Sequence, residues 1–236
     1  MENDRRSLNE FKLYNQLVEG MKAMRMLVIS SVNAYMHPSP SSPEYAKALR
    51  NAGLPMPSSD IDDEFKYLKA VKLFSKRAKD LFKGSFRNVL KGVRAARGLG
   101  ICVDLFLISP RYGVISEDEY ILPYSFSLTR KPRSHIRKAS GTLKTKEKIN
   151  SIFKTPYDLC VVIANKNDLL LIHDPPNGSD LASLCKRIVV FSAPSAATYF
   201  KGNAQFFGVR QVGGRTDSFL KFLDELTSKP LSDYAP

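Results

Sequence analysis

The stretch ICVDLFLISPRYGVISEDEYILPYSFSL, residues Ile101–Leu128, decides the fold. Its first nine residues, Ile101–Ser109, are apolar and β-rich, without polar/apolar alternation. Such a strand is covered on both faces, as in a mostly parallel sheet with helices on either side. Ser109-Pro110 ends the run, and aromatic, acidic and turn-forming residues follow. In an open α/β sheet, ligands sit beyond the carboxyl ends of the strands. The segment Ser109–Tyr124 is therefore a candidate site. Tyr112 and Tyr124 offer rings for base stacking, and Gly113 permits a positive φ after the tyrosine. Ser109 and Tyr112, with one of Glu117, Asp118 or Glu119, are the candidate acid/base groups. The competing structural reading is a compact loop whose aromatics plug the sheet edge and whose acids are solvated.

Working outward, MRMLVISS (Met24–Ser31), LCVVIA (Leu159–Ala164) and RIVVFS (Arg187–Ser192) are strands of the same kind, with LLLI (Leu169–Ile172) a further candidate. Helical periodicity marks a capped N-terminal helix within residues 1–23. It also marks a short helix over Glu44–Asn51 and a stripe of Phe65, Leu68, Val71, Phe74, Ala78, Leu81 and Phe82. Gly84 breaks that helix, and Ser85 is placed to cap the next, which carries Val89, Leu90 and Val93. Thr216 or Asp217 caps a closing helix. The order of elements predicts a single α/β domain over residues 24–228, with an open, mostly parallel sheet, helices on both faces, an extra N-terminal helix and a short C-terminal tail at 229–236.

The net charge is +13, and it is concentrated. Lys76–Arg97 holds eight basic residues against Asp80, and Arg130–Lys148 holds eight against Glu147. The remainder is nearly neutral. Concentrated charge of this kind suits a polyanion, because each neutralised phosphate releases a counterion. The first segment nominates Lys76, Lys79, Lys83, Arg87, Lys91 and Arg94, recurring every three or four residues. The second nominates Arg130, Lys131, Arg133, Arg137, Lys138 and Lys144, in a stretch expected to stay mobile until it meets its partner. The two segments are expected to converge as a positive rim around the Tyr112/Tyr124 mouth.

Other chemistries leave little trace. NKND (Asn165–Asp168) follows a strand as a guanine-reading loop would, but the chain has no phosphate-binding G-x-x-x-x-G-K-[ST] loop, so the match reads as a polar turn. His37, His135 and His173 are too scattered for a metal signature, and no metal or cofactor is expected. The three cysteines, Cys102, Cys160 and Cys185, read as reduced core thiols. No apolar run has the ~18–20 residues a membrane span needs, and the charged N-terminus is unlike a signal peptide, so a cytoplasmic location away from membranes is expected. Gly213, Gly214 and Arg215 form either an anion-binding nest before the last helix or a simple glycine turn.

Several segments, taken in order, resemble the YaaA-like proteins and related uncharacterised families. LISPRYGVISEDEYILPYSFSL is similar to their S-x-x-Y-G-L…P-Y-D-x-(T/S)-L signature, and AKDLFKGSFRNVL (Ala78–Leu90) to their A-x-x-L-Y-x-G segment. MLVISS, LCVVIANKNDLLL and QFFGVRQVGGRTDSFLKFL occupy the places of their first strand, a later strand and turn, and their closing glycine turn and helix. Phe82 stands where the family has Tyr, Ser125 where it has Asp, and the first strand lacks the family's Cys/Ser-x-x-K start. The resemblance implies an α/β fold and DNA binding linked to protection from oxidative damage, with relatives beside 7-deazaguanine modification. It implies a cleft of Ser30, Asn33, Gly84, Ser109, Tyr112, Gly113, Pro123 and Tyr124.

The expected function is thus nucleic-acid binding, DNA or RNA, in a basic cleft that accommodates a base or small nucleotide. The alternatives are an enzyme acting on a nucleobase or nucleotide in the same cleft, and an interaction module for an acidic protein partner.

Overall fold

The computed structural model describes residues 24–32, 35–59, 61–174, 180–200 and 204–228. The expected N-terminal helix, the C-terminal tail and Asn33 lie outside them. Five strands run parallel: β1 (Arg25–Ser31), β3 (Cys102–Ser109), β6 (Leu159–Ile163), β7 (Ile188–Ser192) and β8 (Ala204–Gly208). Strand β4 (Gly113–Ser116) turns back antiparallel along β3, giving the sheet order β4-β3-β1-β6-β7-β8. From β1 the chain goes first to β3 on one side and then crosses to β6 on the other. The order therefore reverses at β1, and the carboxyl ends of β1 and β6 frame a topological switch point.

The strands lack alternation because both faces are covered. Met26 and Val28 belong to one core and Leu27 and Ile29 to the other, all fully buried. Each such side chain contributes about 1.5–3 kcal/mol through burial. The first core lies under α4 (Phe86–Gly98) and α9 (Val212–Ser228), and the second under α5 (Arg133–Thr142), α6 (Thr145–Ile152), α7 (Lys166–Ile172) and the short α8 (Leu181–Leu184). Helices α4 and α9 meet at Gly92, where a Cβ would come within 2.7 Å of a Phe219 ring carbon. Between β1 and α4 the chain makes an excursion through α1 (Pro43–Asn51) and α2 (Glu64–Val71), whose own small core holds Tyr45, Leu49, Tyr67, Val71 and Leu122.

The α/β architecture with helices on both faces follows the sequence reading, but several elements differ. Leu169–Ile172 is helical: Asn165 accepts from the N–H groups of Asn167 and Asp168 and starts α7, a cap that outweighs a four-residue apolar run. The long helix expected from Phe65 to Phe82 is broken. A 3-10 turn (Lys72–Phe74) ends in extended Ser75, β2 (Lys76–Arg77) pairs with β5 (Tyr120–Ile121), and α3 (Ala78–Leu81) follows. Phe65, expected in the buried stripe, is 77% exposed, because Tyr67 and Val71 supply the inner face of α2. Ser85 does not cap α4 through its side chain, and Cys102 is exposed at the start of β3. The last helix begins at Val212, so Gly213 and Gly214 form its first turn and Thr216 bonds back to the Gly213 carbonyl. The Arg130–Lys148 stretch is not a mobile loop; α5 and α6 occupy most of it and bury Ile136 and Ile149 in the second core.

Candidate functional site at the carboxyl edge of the sheet

Beyond β3, the edge is closed by the protein itself. Arg111 is fully buried, with Nη2 donating to Glu64 Oε2 at 2.5 Å and Nη1 to the Ser58 carbonyl. Its guanidinium lies over the rings of Tyr67 and Tyr112. Tyr112 donates to Glu64 Oε1 at 2.7 Å and accepts from the Leu122 N–H at 3.2 Å. Burial, and then the Glu64 charge, push its phenol far above the ordinary value, so it stays protonated. The Tyr124 hydroxyl meets Ser109 Oγ at 2.9 Å, and the Pro123 carbonyl accepts from Tyr45 at 2.9 Å. Gly113, at φ +73°, passes so close to Leu143 that a Cβ would sit 3.1 Å from it. The tyrosine rings nominated for stacking are therefore buried against their own chain.

The acids nominated beside them are elsewhere. The Glu117 N–H bonds the Leu105 carbonyl, four residues back along β3 from Ser109, about 13 Å at ~3.3 Å per residue. Glu117 is buried and pairs with Arg97, and Asp118 pairs with Arg77 and Lys79. Lys79 foremost holds the Asp118 carboxyl below its ordinary value. The carboxylate that does meet Tyr112 is Glu64, 48 residues earlier in the chain. Its position in an acidic cluster marks a helix start, and nothing local announces Arg111 as its partner.

At the switch point the edge is built differently. Ser31 pairs alongside Ile108 in register, and its hydroxyl accepts the Asn165 N–H at 3.2 Å and bonds the Asp168 carboxylate. Asn165 Nδ2 donates to Asp168 Oδ2 at 2.6 Å. Burial pushes the Asp168 carboxyl up to about 6, against the pull of these bonds and of the Arg215 charge. Arg215 is itself buried at the start of α9, bonded to the carbonyls of Val209 and Arg210. Ser30 is buried and donates to the Ser31 carbonyl. Ser192, at the end of β7, is buried with no partner for its hydroxyl among the described residues.

Cations flank this edge from both layers. On one side Lys83 donates its backbone N–H to the carbonyl of Tyr35, four residues past the end of β1, and Gly84 turns the chain at φ +67° into α4. Burial and then the charges of Arg87 and Lys76 lower the Lys83 ammonium pKa, against the opposing pull of Asp80. Arg87, Lys91 and Arg94 continue along the exposed stripe of α4. On the other side Asn167 Nδ2 donates to the Leu128 carbonyl at 2.6 Å, bringing Arg130 and Lys131 to the start of α7. Arg133 and Lys166 lie over one ring, that of Tyr199. Arg133 and Arg137 also clamp Asp174; burial opposes ionisation there, but the two arginines outweigh it and hold the carboxyl below its ordinary value. His173, beside it, accepts from the Leu181 N–H through Nδ1 and donates from Nε2 to the Tyr199 carbonyl. Lys138 and Lys144 are exposed farther along this layer.

The two basic segments therefore stand on opposite faces of the sheet, because α4 covers one core and α5 and α6 the other. Each has one end near the carboxyl edge, Lys83 through the Tyr35 carbonyl and Arg130 through the Leu128 carbonyl's bond to Asn167. Tyr35, bonded through its carbonyl to Lys83, is 72% exposed, and sequence reasoning missed it because one tyrosine in a Pro/Ser-rich loop carries no pattern. Among the described residues no group of three His, Cys, Asp or Glu side chains could hold a metal ion, and no helix is long and apolar enough to cross a membrane. No protein-family model matches the chain, and no curated protein matches it.

Proposed function

We propose that this protein binds nucleic acid at the carboxyl edge of its sheet, beside the β1/β6 switch point, with backbone phosphates held by Lys83 and Arg87 on one flank and Arg130, Lys131 and Lys166 on the other. One observation supports the reading: the carboxyl ends of β1 and β6, where this topology leaves room for a ligand, are adjoined by parts of both basic segments, Lys83 through its bond to the Tyr35 carbonyl and Arg130–Lys131 beside the Asn167–Leu128 bond. Most of these cations have solvent-exposed side chains, as phosphate contacts require. Asn165, Asp168 and Ser31 bond one another beneath this edge and hold its shape. A YaaA-like origin, with its association with DNA, accords with this reading and remains part of the proposal.

The test is a titration with duplex DNA, single-stranded DNA and tRNA across salt concentration. Binding should weaken with a log–log slope near one per phosphate contact, and Lys83→Glu/Arg87→Glu should flatten it by about two. Binding no tighter than background for all three, at every salt concentration, would end the reading.

A further inference from the structure

Among the described tyrosines Tyr35 is the most exposed, at 72%, followed by Tyr120 at 62%. Tyr45, Tyr67, Tyr112, Tyr124 and Tyr157 are buried, Tyr120 has Arg77 over its ring, and Tyr199 has both Arg133 and Lys166. Tyr35 is anchored through its own carbonyl, by the 2.8 Å bond from the Lys83 N–H, and its neighbour Met36 bridges to buried Phe82. A large aromatic side chain is thus exposed next to a backbone held by that bond, and Lys83, across the bond, feels the charges of Arg87 and Lys76.

The helices that carry the two basic segments cover opposite faces of the sheet. The α4 stripe looks out from one helical layer and α5 from the other, with the sheet between them. Each layer is about 10 Å thick. Duplex DNA is stiff over about 150 base pairs, so bending it sharply over such an edge costs several kcal/mol. A single strand escapes that cost, and its unstacked bases are free to lie on an exposed ring.

Resting on the nucleic-acid reading above, we infer that the ligand class is single-stranded nucleic acid, draped over the carboxyl edge from the α4 flank to the Arg130/Lys166 flank with one unpaired base stacked on Tyr35. Duplex would reach both flanks only at that bending cost. Tyr35 then acts as the stacking platform that the sequence alone would assign to Tyr112 and Tyr124.

The experiment is fluorescence anisotropy with a labelled single strand of about 20 nucleotides, the same sequence as duplex, and a single strand of about 5, within the usual span of single-strand site sizes. The protein is wild type, Tyr35→Ala, Tyr35→Phe, or charge-reversed on one flank (Lys83→Glu/Arg87→Glu) or the other (Arg130→Glu/Lys131→Glu). Thermal melting checks that each variant is folded. The expected result has four parts. The long single strand binds more tightly than the duplex. Tyr35→Ala weakens it roughly 5- to 100-fold while Tyr35→Phe restores it. Reversal of either flank weakens the long strand, and the short strand is insensitive to one of the two reversals. Duplex binding equal to or tighter than single-strand binding, or a Tyr35→Ala variant with unchanged single-strand affinity, overturns this inference while leaving the nucleic-acid reading intact. Absence of binding to either form removes the reading beneath it.

Discussion

The carboxyl edge of this sheet has two halves made from similar residues and put to opposite uses. At the end of β3, tyrosines, a serine, an arginine and a glutamate are knitted into a closed network whose rings face inward. At the ends of β1 and β6, serine, asparagine and aspartate bond one another, and the adjoining segments carry an exposed tyrosine and exposed cations. Aromatic and polar content does not separate a binding edge from a structural plug. Polar atoms are occupied by the chain in both halves; what separates them is that the rings and guanidinium of the plug are buried while the other half carries an exposed ring and exposed cations.

That contrast can be broken first at Arg111. Removing a buried charge leaves its partner uncompensated, so Arg111→Ala should destabilise the fold by about 3–5 kcal/mol by stranding Glu64. Urea denaturation measures it; a loss within 0.5 kcal/mol would mean the plug is ornamental and its residues free for other work.

Asp168 gives the next largest effect, and its sign is opposite to that of a salt-bridged acid. Its folded pKa, near 6, lies above the unfolded value of about 3.9, so between these pH values the native state binds more protons. Stability from this residue is complete below about pH 4 and is lost as pH rises through about 6, by up to about 3 kcal/mol at ~1.4 kcal/mol per unit. Asp118 and Asp174, held below their ordinary values, contribute in the other direction. The readout is therefore the difference in stability between wild type and Asp168→Asn from pH 4 to 7.5, which should move in favour of the variant as pH rises. A pH-independent difference would contradict the buried carboxylate.

Tyr112→Phe should cost about 1–3 kcal/mol, since both Glu64 and the Leu122 N–H lose a partner, and it should leave nucleic-acid affinity of the folded variant unchanged. Tyr35→Ala should do the reverse, shifting stability by less than about 0.5 kcal/mol, as surface substitutions usually do, while weakening binding. Melting and anisotropy on the same two samples decide between the halves.

The sequence reveals the sheet better than the site. Four strands are legible because unbroken runs such as Leu159–Ala164 have no solvent face to dilute them with polar residues. β8 escaped notice because its five residues are half exposed, and Leu169–Ile172 was ambiguous because four apolar residues fit a buried strand and a buried helix turn equally. Charge clustering is legible, but which sheet face each cluster occupies is a property of the crossover from β3 to β6, not of spacing. The occupancy of Tyr112 depends on Glu64 and that of Tyr199 on Arg133 and Lys166, pairings set by topology alone.

Hydrogen exchange of the backbone, with and without a saturating single-stranded oligonucleotide, tests the division most directly. The account predicts slowed exchange around Tyr35, at Lys83–Arg87 and at Lys166–Asp168, with Ser109–Tyr124 unchanged. Protection centred on Ser109–Tyr124, with the β1/β6 edge unaffected, would contradict it.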